Sequence, residues 1–147
     1  MQGRPVTEPM GLRRKSRVIA LQFLYGHDFT GAPDELSAVE HEIEQFCASF
    51  DAGREAKPYA QKLITGICEF RGEIDHLMAA HSHNWRLERM SLVDRNILRI
   101  AVFEMKYCDD VPEKVAINEA LEIAKHYSIP DSVSFINGIL DAVQAKA

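Results

Sequence analysis

Long apolar runs are missing from this chain of 147 residues. No stretch reaches the roughly 18 residues that a membrane-spanning helix needs. Met1 to Lys15 lacks the apolar segment of a secretory signal. Cysteine is scarce: Cys47, Cys68 and Cys108 are odd in number and far apart. They form neither a disulfide framework nor a CxxC zinc site, and they read as reduced, buried thiols of a cytoplasmic protein. Also absent are GxGxxG, a phosphate-cradling loop ending in GK[ST], GxSxG and HExxH. His81-Ser82-His83 does not replace them, because residues two apart lie on opposite sides of a helix and no third ligand is close in sequence. The residues therefore make no positive case for an enzyme, a metal or a cofactor. Strand signals are nearly absent as well: no alternating apolar run is bounded by turn pairs, and Asn137-Gly138 lies inside a helical pattern.

What is present is helical periodicity. Hydrophobic residues make up 46% and charged residues 27%, a globular composition of one-domain size. Residues 1–11, with two prolines and two glycines, read as a loose arm. The first helix is predicted from Leu12 to His27, and Gly31-Ala32-Pro33-Asp34 breaks it. Asp34 is placed to cap a second helix carrying Leu36, Val39, Ile43, Phe46 and Cys47, which ends at Asp51-Ala52-Gly53. One long third helix is predicted over Glu55 to His81, its stripe running through Tyr59, Leu63, Gly66, Ile67, Phe70, Ile74 and Leu77. A connector with the sole tryptophan, Trp85, leads to Ser91-Leu92-Val93-Asp94, an S/T-x-x-D helix start. Breaks at Asp109-Asp110-Val111-Pro112 and Ser128-Ile129-Pro130 separate the last three helices, with Pro112 in a first turn and Asp131 or Ser132 as the final cap. The pattern predicts an all-α helical bundle of six to seven helices in two packed halves, residues 12–83 and 84–147.

Charge is unevenly placed. Residues 1–30 hold five Lys/Arg against two Asp/Glu, within a chain of net charge −5. Arg13, Arg14, Lys15 and Arg17 sit at the front of the predicted first helix, where the dipole makes each cation unfavourable by about 0.3–1 kcal/mol. Arg13 and Arg17 are four apart and Arg14 and Arg17 three apart, so their guanidinium groups can grip successive phosphates. The plainer alternative is a solvated helix start, or cations paired with acids elsewhere in the body. Phe135 falls roughly 80–100° to the side of the Ile136, Ile139, Leu140 and Val143 stripe. There it either stacks on an unpaired base or packs at the core's edge. Tyr25 poses the same choice on the first helix. Gly138 lies opposite the last stripe, where glycine costs about 1 kcal/mol relative to alanine. Glu104 and Asn118 interrupt apolar faces, and Glu104 requires a partner such as Arg99, Arg95 or Asn118 in a structural polar network.

The second half resembles the NusB family of bacterial transcription antitermination factors. The tracts that carry the resemblance are Val93-Asp94-Arg95-Asn96-Ile97-Leu98-Arg99-Ile100-Ala101 with Phe103-Glu104, Val111-Pro112-Glu113-Lys114-Val115-Ala116-Ile117-Asn118-Glu119-Ala120, Ala124-Lys125 and Phe135-Ile136-Asn137-Gly138-Ile139-Leu140-Asp141. The first half agrees more weakly, through the basic cluster, Ala20-Leu21-Gln22-Phe23-Leu24-Tyr25 and the series Tyr59, Leu63, Gly66. The likeness covers nearly all of residues 12–143.

That resemblance implies an all-α fold of two helical subdomains and a function without catalysis or cofactor. It implies binding of boxA-like single-stranded RNA in ribosomal RNA operon transcripts, together with ribosomal protein S10 (NusE). The assembly would join the RNA polymerase antitermination complex and promote readthrough. It assigns RNA contact to Arg13, Arg14, Lys15 and Arg17, and RNA contact or antitermination activity to Tyr25, Asp131 and Phe135. Asp94 is the residue chosen for S10. In the family the helix containing Ala124-Lys125 often ends at glycine, whereas here Ser128 and Pro130 occupy the turn. Two alternatives stand beside this reading: an accessory domain like those fused to rRNA cytosine methyltransferases, and a self-associating helical module that forms a homodimer.

Overall fold

The computed structural model describes residues 8–49, 53–82 and 87–146. Among the described residues it contains seven α-helices and no strand. They are α1 (Glu8–Thr30), α2 (Leu36–Cys47), α3 (Gly53–Glu69), α4 (Arg71–Ala80), α5 (Leu92–Tyr107), α6 (Glu113–Tyr127) and α7 (Pro130–Lys146), with a short 3-10 turn at Leu87–Arg89. The Trp85 connector and the Asp51-Ala52 stop lie outside the described residues, as does most of the predicted arm.

α1 departs from its predicted bounds at both ends. It begins at Glu8, four residues early, with Pro9 in its first turn, where a missing N–H costs nothing. It runs on to Thr30 and is closed by Gly31 at φ 71°, while the Ala32 N–H donates to the His27 carbonyl. That is a left-handed glycine cap. Arg13 consequently lies past the first turn, where the dipole has faded, so the predicted penalty on the basic cluster is largely lifted.

Asp34 does not cap α2. Glu35 holds that position without a side-chain hydrogen bond, and Asp34 is instead bonded to Arg71 and His27. The predicted long third helix is two helices joined at Phe70, whose φ of −105° and ψ of 21° interrupt the spiral. The apolar spacing passes unbroken through residue 70, so periodicity does not mark the break. The Phe70 ring stacks on Tyr107, with centroids 4.6 Å apart.

α5 is the central helix. Every residue from Asn96 to Met105 is buried, as expected of a helix with neighbours on all sides. α1, α3, α4, α6 and α7 all pack against it. Arg17 of α1 meets Glu104, and Asp28 meets Arg99, so α1 and α5 run antiparallel. α3 passes closest at Gly66, where an added Cβ would lie 2.2 Å from the Phe103 ring; only glycine fits there. One apolar core joins Leu24, Ile43, Leu63, Leu98, Ile117 and Ile136, drawing on both halves of the sequence.

The later boundaries follow their local chemistry. Ser91 Oγ accepts the Asp94 N–H at 3.1 Å and caps α5. Pro112 is the N-cap of α6, one position before the first turn predicted for it. α6 ends on an extended Ser128, whose N–H closes onto the Ala124 carbonyl, so no left-handed residue is needed. Pro130 opens α7. Ser132 is turned inward and donates its hydroxyl to Asp94. Asp131 stands exposed in the first turn. Gly138 is exposed, with nothing near its missing Cβ.

Candidate nucleic-acid interface

The four clustered cations of α1 divide by direction. Arg17 points inward and is 4% exposed. Its Nε donates to both Glu104 oxygens at 3.0 and 2.8 Å, and its Nη1 to Glu119 at 3.3 Å. Tyr59 adds its hydroxyl to Glu104. Burial first, then the bond to Glu104, raises the Tyr59 phenol well above its ordinary range. The partner of Glu104 is thus Arg17, not Arg99, Arg95 or Asn118. Asn118 is exposed. Arg17 does not belong to an RNA-contacting surface, because two buried carboxylates depend on it and its removal would strand them.

Arg14 lies at the rim. Its guanidinium forks onto Glu119, with Nε and Nη2 each 2.8 Å from a carboxylate oxygen, and that hydrogen bond raises its pKa. Glu119 itself is nearly enclosed, with 5% of its side chain exposed. Arg13 reaches Asp110 in the α5–α6 turn at 3.0 Å, with both side chains substantially exposed. Its guanidinium also lies over the Tyr59 ring, 3.9 Å from the centroid. The Arg13 hydrogen bond holds the Asp110 carboxyl below the usual range. Beside this pair opens a cleft of about 190 Å³ with an apolar wall of Val111, Pro112 and Val115. Lys15 is exposed and makes no ion pair among the described residues. Three of the four cations are therefore matched by the protein's own acids, which is the plainer alternative the sequence left open.

Further along α1, Tyr25 is exposed and stacks on Phe29 with planes 10° apart. Phe29 is 73% exposed and carried no signal in the sequence beyond its position past the predicted helix end. At 100° per residue, Lys15, Gln22, Tyr25 and Phe29 share an arc of about 80°, and Lys15 to Phe29 spans about 21 Å. All four are exposed. This face pairs an exposed cation with two accessible rings. Phe135 is half-buried at the edge of the core. Asp94 is 5% exposed and accepts the hydroxyls of Ser128 and Ser132. It ties α5 to α7 and is nearly enclosed, so the structure gives it an interior role where the resemblance assigns it to S10.

The far end of α1 carries a second polar cluster. Asp28 accepts from Arg99 and Asn96 and pairs with Arg71, while Arg99 also forks onto Asp75. His27 is buried between Asp34 and Glu42. Burial alone would raise the Asp34 carboxyl, but Arg71 and His27 outweigh it and hold it below its ordinary value. His27, Asp34 and Cys68 bring potential metal-ligating atoms within 4.8 Å of one another. Arg71 already supplies the cation there, bonded to Asp34 at 2.7 Å, and burial pushes the Cys68 thiol up to about 12. A thiolate ligand is disfavoured in that setting.

Residues 14–145 match the model of the NusB family. The transcription antitermination protein NusB of Desulfotalea psychrophila is 45% identical over 136 residues, covering 92% of this chain and 96% of that protein. The chain belongs to the NusB family. A solved structure of T. maritima NusB is 37% identical with a TM-score of 0.79, covering 91% of each chain. A structure of the antitermination factors NusB and NusE in complex with dsRNA shares the fold at 24% identity and a TM-score of 0.77, covering 94% of this chain and 99% of that one. In this NusB-family chain the Arg17–Glu104 pair is interior structure, and along α1 the accessible side chains that can meet a ligand include Arg13, Arg14, Lys15, Tyr25 and Phe29.

Proposed function

We propose that this chain is a transcription antitermination factor that binds boxA-like single-stranded RNA of ribosomal RNA operon transcripts. It acts there with ribosomal protein S10 (NusE) and promotes readthrough by RNA polymerase. It works in the cytoplasm as a binding protein, without a catalytic group or cofactor. The observation that carries the reading is the exposed face of α1, where Lys15 and the Tyr25–Phe29 stack lie along one line. A cation positions a phosphate and an aromatic ring takes an unpaired base, at about 1–3 kcal/mol per stacked base. The relative named as an antitermination protein favours the antitermination reading, since this chain covers 96% of that protein's length. That leaves little room in the relative for the fused methyltransferase of the accessory-domain reading.

The experiment is a mobility shift with a boxA oligonucleotide. Lys15→Glu reverses the exposed cation and should weaken binding at least several-fold while circular dichroism stays unchanged. Arg14→Glu is a poor probe, because it sets a second carboxylate against the enclosed Glu119 and disturbs the fold. A pull-down of S10 with and without the oligonucleotide tests the partner. Unchanged RNA affinity in Lys15→Glu and Tyr25→Ala together would remove the reading.

A further inference from the structure

We propose that Asp110 is a built-in competitor of the RNA: it occupies the phosphate seat at Arg13, and an incoming phosphate must displace it. The inference rests on the RNA-binding reading above and adds a residue that sets its affinity. The Asp110 carboxylate and a phosphodiester offer a guanidinium the same thing, an anionic oxygen at hydrogen-bond distance. Asp110 holds that place now, 3.0 Å from Arg13 Nη2.

The three paired arginines are not equally exchangeable. Arg17 touches the floor of the neighbouring cleft but is buried with its acids, and its donors are spent on Glu104 and Glu119. Arg14 makes two bonds to a nearly enclosed carboxylate, which would be left short of partners if it turned away. The Arg13–Asp110 pair is the open one, with side chains 39% and 55% exposed. Exposed pairs of this kind contribute little and are readily replaced.

Arg13 also stays in place when its acid leaves. Its guanidinium lies on the Tyr59 ring, and the Tyr59 hydroxyl is itself fixed by Glu104. The arginine is held from below, and its outward donors are free to take a new anion. The cleft beside it has an apolar wall of Val111, Pro112 and Val115, suited to a ribose or the edge of a base next to the phosphate. Asp110 sits in a turn between helices, and beyond a local bond to its own backbone its carboxylate is hydrogen-bonded to Arg13. It can swing aside without unfolding anything.

The test measures binding of a fluorescein-labelled boxA oligonucleotide by anisotropy across a salt series. The full chain is used as wild type, Asp110→Asn, Arg13→Ala and the double variant, with Asp110→Ser as a second replacement. Both Asp110 variants should bind about two- to fivefold tighter. The plot of log affinity against log salt should steepen by about 0.7, one more net counterion released, because no freed carboxylate recaptures a cation. In the Arg13→Ala background the gain should vanish. If wild type binds and the Asp110 variants bind no tighter, or if the gain persists undiminished without Arg13, Asp110 is not a competitor for that seat. If no variant, wild type included, binds the oligonucleotide while folded, the RNA-binding reading falls and takes this inference with it.

Discussion

The two ends of α1 use opposite charge for the same task. Near Arg13 to Arg17 the helix supplies cations and the body supplies Glu104, Glu119 and Asp110. Near Asp28 the helix supplies the anion and the body supplies Arg99 and Arg71. Both clusters fasten α1 to the rest of the fold. They differ in closure. At the Asp28 end Arg99 spends its donors on Asp28, Asp75 and Asn96, and the cluster is complete in itself. At the other end the pairs grade from buried to open within one helical turn, and the outermost arginine, seated on the Tyr59 ring, has an exposed acid as its ion-pair partner. Where an arginine's partner is enclosed the pair is structure; where its partner is exposed the cation is lent, not committed.

Removing the innermost member of each end should have the largest effect. Arg17→Ala strands Glu104 and Glu119, and Arg99→Ala strands Asp28 and Asp75. Each should lower unfolding stability by about 3–5 kcal/mol in urea titrations. A loss under about 1 kcal/mol in either would break the equivalence of the two ends. A smaller contrast separates Arg14 from Arg13. Arg14→Ala should cost about 1–3 kcal/mol, since Glu119 keeps only Arg17, while Arg13→Ala should cost no more than about 1 kcal/mol. Equal losses would mean that the grading from closed to open is not energetic.

The smallest effect is one of pH at the Asp28 end. Asp34 has a depressed pKa when folded, against an ordinary value of 3.8. Its contribution is therefore complete above that value and disappears as pH falls through 3.8 and then through the lower folded value. The stability gap between wild type and Asp34→Asn should be widest at neutral pH and narrow as pH falls below 3.8. A gap that widened on acidification would contradict the depressed value.

Local chemistry was legible in the sequence where it acts over a few residues. Ser91 announced the start of α5 through the amide three positions on, and the Pro112 and Pro130 breaks marked where α6 and α7 begin. The core stripes of α5, α6 and α7 followed from spacing alone. Long-range partners were not legible. Arg17 reads as one of four surface cations until Glu104, 87 positions away, is seen to bury it. Asp94 reads as half of a capping box, yet its carboxylate serves Ser128 and Ser132 on the far side of α6. Asp34 looked like a cap because a short acid before a helix usually is one, but Arg71 outbid the backbone amides. The α3–α4 break leaves no mark because the apolar spacing continues through Phe70. Phe29 lies past the helix end that the sequence predicts, because α1 runs one turn further, to Thr30.

Chain order gives the α1 clamp a temporal side. Glu119 lies 105 positions after Arg14. At a translation rate of about 5–20 residues per second, the ribosome needs on the order of 5–20 s to supply the acid that answers that base. Throughout that interval the newborn helix carries an unanswered basic turn, exposed while still tethered beside the ribosome's own RNA.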